Sequence, residues 1–299
     1  MLDDTFDLSE DLRDELESNG SQAVDPRTVP TRFSLLKKMA LSPAHYHHAA
    51  QQPQDDTIAS RLGMLGSAYQ KRADALRFGT AVHATLLGDP ATIGRYSGRR
   101  DPRTKAWQDF QADAAKDGIV EILNDKEHAM AMAVATALRR NEHAMRLLCQ
   151  DTVRESKIEF SFVGKSARAT PDARGPHLVD LKTAVSSEPS QFARVALRLF
   201  YHAQLWLYGE AMETIGEKRP VDAYIVAVEK TAPWPVSILR VTDRALEVGE
   251  MLCRGWIERL NVCEATGQWP EYLSAVGELD IWEPDGDLGL EFNGKKVLV

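Results

Sequence analysis

The sequence predicts a mixed α/β (α+β) fold, a central mixed sheet flanked by helices and preceded by a helical region. Three observations carry that prediction. Helical periodicity dominates to about residue 150, the pattern then switches to short alternating segments between glycine-containing turns, and two long helical stretches follow those segments. The resulting order of helices, three strands, helix, two strands and helix calls for a mixed sheet with helical layers.

Residues 1–30 are polar and acidic, end in the proline-bounded run Asp25-Pro26 to Val29-Pro30, and are expected to be a flexible arm with a short helix near Leu8 to Leu16. Structure is expected from Thr31. Ser34 is placed to cap a helix through Leu35, Leu36 and Met39, and Ser42 before Pro43 is a second start signal. A polar loop over 52–60 leads to a helix over Ala68 to Leu87, with Leu76, Val82, Leu86 and Leu87 on its apolar face. Asp89 to Lys105 reads as a loop. Helices are predicted over Lys105 to Lys116 and, as one element capped by Asn124, to about Leu148. Val153 to Val163, Arg168 to Asp172 and His177 to Lys182 read as strands, Pro189 to Ile215 as one long helix, Val221 to Val228 and Val236 to Val241 as strands, and Arg244 to Thr266 as the last helix. The expected organisation is one domain over 31–275, with a helical part at 31–150 and a sheet-bearing core at 151–275, followed by an acidic tail at 276–299.

The 299 residues, 43% hydrophobic and 27% charged, suffice for a proper core. No apolar run is long enough to span a bilayer, and the acidic N-terminus is unlike a signal segment, so a cytoplasmic location and no membrane partner are expected. Cys149, Cys253 and Cys263 are scattered, which excludes a zinc ribbon and predicts free thiols. The net charge of −8 argues against a nucleic-acid partner until its distribution is considered. Residues 1–30 hold nine acids against Arg13 and Arg27, and residues 276–299 hold six against Lys295 and Lys296, so residues 31–275 carry +3. The densest basic stretch, Arg95, Arg99, Arg100, Arg103 and Lys105, is a candidate contact for DNA phosphates.

The chemistry concentrates between Pro171 and Lys182. If the strands ending at Asp172 and Lys182 are neighbours joined at Arg174-Gly175-Pro176, Asp172 and Asp180 converge, and alternation puts Asp180 and Lys182 on one face with Leu181 buried behind them. Two such carboxylates suit a hard cation such as Mg2+, and a lysine beside it can position a water, the equipment of metal-dependent phosphodiester hydrolysis.

With these residues in place the chain resembles the PD-(D/E)XK nuclease superfamily, with its restriction-endonuclease-like core. Within it the chain is most similar to the phage and prophage exonuclease VIII (RecE-like) family, relatives of the RecB nuclease domain. Pro171-Asp172 and Asp180-Leu181-Lys182 match the superfamily signature. Gly79-Thr80-Ala81-Val82-His83, Ser42 to Tyr46, and Tyr201-His202-Ala203-Gln204 match further family elements, in family order. The resemblance implies that His83, Asp172, Asp180 and the Leu181 carbonyl bind metal, that Lys182 orients the nucleophile, and that Tyr201 and Gln204 hold a water or the scissile phosphate. Glu159 is a possible additional acid. Mg2+ is the implied cofactor, and nitrogen ligation by His83 lets Mn2+ substitute. An iron-sulfur cluster, which related groups hold with four cysteines, is not expected from three.

The resemblance further implies a 5′-to-3′ double-strand DNA exonuclease that leaves 3′ overhangs for recombination. Its implied partners are double-stranded DNA, a phage-type single-strand annealing protein and further copies of itself. The rival readings are a structure-specific endonuclease of the same superfamily and a catalytically inactive DNA-binding or assembly protein. The quartet of His83, Asp172, Asp180 and Lys182 argues against the last, because two adjacent acids persist only where something offsets their repulsion.

Overall fold

The structure, a computed structural model, describes residues 30–51, 67–272, 279–282, 289–292 and 295–298. The expected helix near Leu8 to Leu16 and the loop over 52–60 lie outside these residues. Among them the chain divides into two compact units: residues 34–51 with the segments from Trp256 onward, and residues 30–33 with 67–255.

The second unit is built around a five-stranded mixed sheet in the order β10-β9-β8-β7-β4. Its centre is β8 (His177–Ala184), parallel to β9 (Asp222–Glu229) along its whole length and antiparallel to the two-residue β7 (Ala173–Arg174). β10 (Val236–Val241) and β4 (Val153–Arg154) complete the edges. A second sheet holds the hairpin of β5 (Ile158–Phe162) and β6 (Lys165–Ala169), with β1 (Thr31–Arg32) parallel to β6 and followed in the chain by the four-residue helix α1 (Phe33–Leu36). The hairpin turns on Val163 and Gly164, both at positive φ, as a two-residue turn between twisted strands requires.

One face of the central sheet is covered by α3 (Ser67–Leu86), α5 (Asp125–Arg140) and α6 (Glu142–Cys149). Phe78, Val82 and Leu86 of α3, Val134 and Leu138 of α5 and Leu148 of α6 pack there with Val179 and Leu181 of β8 and Val226 and Val228 of β9. α8 (Tyr201–Thr214) lies against β5, β6 and β8, and its Trp206 meets Phe162 edge-on at 5.9 Å. α8 is buried nearly all round, which explains its lack of a polar face.

Three predicted elements divide and a fourth is cut short. The helix expected from Asn124 to Leu148 breaks at Asn141, whose side chain accepts from Ala144 N–H and starts α6, while Asn124 and Glu127 form a reciprocal capping box on α5. The helix expected over Pro189 to Ile215 becomes α7 (Pro189–Arg198) and α8, because Phe200 adopts φ +60° between them. The strand expected over Val153 to Val163 becomes β4 and β5 in different sheets, turned at Glu155 by φ +47°. The strand expected over Arg168 to Asp172 ends at Ala169, and Thr170 to Asp172 carries the chain from one sheet to the other. The loop expected over Asp89 to Lys105 contains β2 (Ile93–Arg95), parallel to β3 (Glu121–Leu123). After it comes α4 (Lys105–Lys116), with the bounds the sequence predicts.

In the other unit Ser42 caps α2 (Pro43–Gln51), accepting from His45 N–H and pairing with His45 Nδ1 at 2.7 Å. Tyr46 and His47 stack on Trp269. Within 276–299, β11 (Leu279–Trp282), β12 (Gly289–Phe292) and β13 (Lys295–Leu298) form an antiparallel sheet. No helix among the described residues is long and apolar enough to cross a membrane.

The last long helix, α9 (Asp243–Thr266), crosses α8 at Gly249, where an added Cβ would lie 2.8 Å from Ala203 Cα and from His202 O. Cys253, one turn on, points its thiol at Ala203 O at 3.5 Å. Gly249→Ala is therefore expected to cost about 1–3 kcal/mol through overpacking. Gly255→Ala on the same helix, where a Cβ meets nothing within 4 Å, is expected to stabilise by up to ~1 kcal/mol through helix propensity. Urea denaturation of the two variants should show opposite shifts in midpoint.

Candidate active site

The site forms where β8 outruns its neighbour. β7 pairs with β8 only at Val179 and Leu178, so beyond Val179 that edge of β8 has no strand beside it among the described residues, and the Leu181 backbone finds other partners. Asp172 supplies one: its Oδ2 accepts from Leu181 N–H at 2.6 Å. The β7–β8 register, extended by one residue, sets Asp172 opposite Asp180. His83, in the last turn of α3, supplies the other through Nε2, 3.0 Å from Leu181 O.

The other side of His83 meets two carboxylates. Nδ1 lies 3.1 Å from Glu155 Oε1 and 3.5 Å from Asp172 Oδ1. His83, Glu155 and Asp172 each offer a ligand atom within 4.8 Å of the others. Burial works against a charged imidazole, but Asp172 and Glu155 outweigh it and raise the His83 pKa to about 10. Burial also opposes the Asp172 charge, yet His83, Lys182 and the Leu181 N–H hold its carboxyl below the ordinary range.

Asp180 is 1% exposed. Lys182 Nζ stands 2.6 Å from its Oδ2, while its Oδ1 has no hydrogen-bond partner among the described residues. Burial, reinforced by Asp172 and opposed by Lys182, pushes its pKa up to about 6. Lys182 is buried too, but Asp180 and Asp172 keep its ammonium protonated well above the ordinary lysine range. The ammonium sits 4.9 Å from the centroid of Tyr201, the first residue of α8. One turn further, Gln204 Nε2 donates to Tyr208 Oη at 2.7 Å, and burial together with the two aspartates raises the Tyr208 pKa.

The structure thus brings together His83, Asp172, Asp180, the Leu181 carbonyl, Lys182 and Tyr201, with Gln204 tied to Tyr208. Leu181 lies in the hydrophobic cluster behind the two charged residues that flank it, as alternation requires. Glu159 is a correction: it projects from the solvent side of β5, in the other sheet, 65% exposed and ion-paired to Lys157. The acid that meets His83 is Glu155. Residue type and alternation carried no sign of it, because its placement depends on a left-handed backbone. Tyr208 was legible in principle, one turn after Gln204 and two after Tyr201 on one helix face.

The basic stretch is largely engaged within the fold. Arg95 pairs with Asp125, Arg100 with Glu127 and the Ile122 carbonyl, and Arg103 with Asp101, while Arg99 reaches Asp101 only at 3.9 Å. Lys105 opens α4 at the surface. Arg100 in particular braces the capping box of α5.

A buried carboxylate with one unpartnered oxygen, beside a second acid, an imidazole and a backbone carbonyl, fits a hard divalent cation. A mixed sheet with acids and a lysine arranged in this way defines a PD-(D/E)XK-type domain. The family profile agrees: residues 33–280 match the PDDEXK-like domain of unknown function (DUF3799), and the chain belongs to that family. Among solved structures, a protein from Eubacterium rectale provisionally assigned as an exonuclease is similar over 90% of this chain and 91% of its own, with a TM-score of 0.55 and 14% identity, which is a likeness of fold. The alkaline exonuclease LHK-Exo from Laribacter hongkongensis aligns over 63% of this chain and 96% of its own at 13% identity, with a TM-score of 0.26. No curated protein matches the sequence.

The His83 environment sets a pH dependence. The folded state holds the His83 proton to about 10 against an ordinary 6.5, so it binds more protons than the unfolded chain between those values. The stability this contributes is complete below pH 6.5 and is lost as pH rises through 10. Metal-free thermal melts are expected to show Tm falling across that window in the wild type and a flatter profile in His83→Ala.

Proposed function

We propose that the protein is a Mg2+-dependent deoxyribonuclease, and more specifically a 5′-to-3′ exonuclease on linear double-stranded DNA that leaves 3′ single-stranded overhangs for recombination. The observation that carries the reading is the convergence of two buried acids, an imidazole and a protonated lysine on the open edge of one strand. The family resemblance supplies the finer reading, including a homo-oligomer around DNA and a single-strand annealing protein as partner. Mn2+ is expected to replace Mg2+.

His83, Asp172, Asp180 and the Leu181 carbonyl would hold the cation, which supplies Lewis-acid activation of the phosphodiester and of water. Lys182 stays charged at neutral pH, so its task is that of a cation and donor. It orients the attacking water and offsets charge developing on the phosphoryl oxygens. Asp180 holds the ammonium from one side and the Tyr201 ring faces it from another. Gln204, fixed by Tyr208, presents its amide near the same end of α8 and suits a contact with the scissile phosphate. Arg99 and Lys105 are the members of the basic stretch least engaged elsewhere and the best placed to meet backbone phosphate.

The deciding experiment is digestion of linear duplex DNA labelled at the 5′ or 3′ end, with closed circular DNA as control and Mg2+ or Mn2+ present. The wild type is expected to release nucleotides from 5′ ends and leave circles intact. Asp180→Ala and Lys182→Ala should each lose activity by about 100-fold or more. Cut circles would replace this reading with the endonuclease, and no metal-dependent cleavage would replace it with the binding protein. In the same assay Tyr201→Phe, which keeps the ring over Lys182 and removes only the hydroxyl offered to a water or the phosphate, should lose less than Tyr201→Leu, which also forfeits about 0.5–2 kcal/mol of cation–π contact.

A further inference from the structure

Glu155 has no part in the mechanism above, yet the chain is bent to bring it to the site. It is the residue at which the backbone leaves β4 for the other sheet, and it does so at φ +47°, a conformation that side chains with a Cβ rarely adopt. Such a geometry persists only where its surroundings enforce it, and strained residues cluster at functional sites. Two contacts enforce it here. The Glu155 N–H donates to Asp172 O at 3.2 Å, and its Oε1 takes His83 Nδ1 at 3.1 Å, 72 residues away in sequence. One residue thus ties together the loop that presents Asp172 and the helix that presents His83.

The two nitrogens of an imidazole are not equivalent once one of them has a fixed partner. Nε2–H donates to Leu181 O while the ring is charged; once a cation displaces that proton, a carboxylate on Nδ1 holds the remaining one there and leaves the Nε2 lone pair for the metal. In this structure Nε2 is the nitrogen facing Leu181 O.

We propose that Glu155 is a positioning residue for cation binding: by accepting the Nδ1–H of His83 it fixes the ring so that Nε2 is offered beside the Leu181 carbonyl. The inference rests on the reading of His83 as a metal ligand. It predicts that Glu155 acts through the histidine and does not itself touch the cation.

Mn2+ alone is the probe, titrated calorimetrically into the full chain, with a thermal melt of each variant in metal-free buffer. Loss of the carboxylate behind a metal-binding histidine weakens affinity about 10- to 100-fold, and Glu155→Ala is expected to fall in that range. Glu155→Gln, whose amide oxygen still accepts from Nδ1–H, should stay within about threefold of wild type, since the orienting bond is kept. Glu155→Gly, which suits the left-handed backbone, should melt no lower than Glu155→Ala yet bind Mn2+ as weakly, separating the lost carboxylate from any lost fold. If Glu155→Gln is as weak as Glu155→Ala, the carboxylate is itself a ligand and the inference fails. If Glu155→Ala binds as the wild type does, Glu155 has no role and the nuclease reading stands untouched. A wild type that binds no Mn2+ would instead remove the metal reading on which both rest.

Discussion

The site depends on one unmet requirement of backbone chemistry. A central strand normally has both edges paired, and a buried N–H or carbonyl without a partner is costly. β8 runs past the end of β7, and at Leu181 its open edge is satisfied by the carboxylate of Asp172 and the imidazole of His83. The two groups are held in place because the fold needs them there. Two stretches of chain far apart in sequence meet on one peptide, and the strand fixes Asp180 and Lys182 on either side of it.

The electrostatics are collective. Asp180, Asp172, His83 and Lys182 are each disfavoured by burial, and each is shifted by the others. Taken singly, any of these charges would be expelled or neutralised; as a group they alternate in sign around a small volume. The balance is incomplete at Asp180, whose carboxyl is pushed toward its neutral form and whose Oδ1 lacks a hydrogen bond among the described residues. A divalent cation would complete it, and the group is therefore better suited to the loaded state than to the empty one.

Much of this was legible in the sequence because it follows from short-range rules. The alternation through Val179, Asp180, Leu181 and Lys182 fixed which side chains face the core, and the caps at Asn124 and Ser42 fixed where helices start. What was not legible depends on single backbone angles or on tertiary partners. Phe200 and Glu155 break their elements by adopting positive φ, a conformation no residue-type rule assigns to phenylalanine or glutamate. Asn141 could be read as mid-helix or as a cap, and only its bond to Ala144 N–H decides. Glu159 and Glu155 lie in one predicted strand. Treating that strand as continuous made Glu159 a candidate acid, whereas the break leaves Glu155 just past the end of β4 and carries Glu159 into the other sheet.

The left-handed residue between α7 and α8 has a consequence for how the sequence can vary. Starting a fresh helix at Tyr201 sets the rotational phase of α8, and with it the direction in which Tyr201, Gln204 and Tyr208 project toward β8. Each residue advances a helix by roughly 100°. Inserting or deleting one residue in the joint would swing all three side chains away from Lys182 together while leaving every one of them present in the sequence. The joint works as an indexing device, and its length is under tighter constraint than its composition.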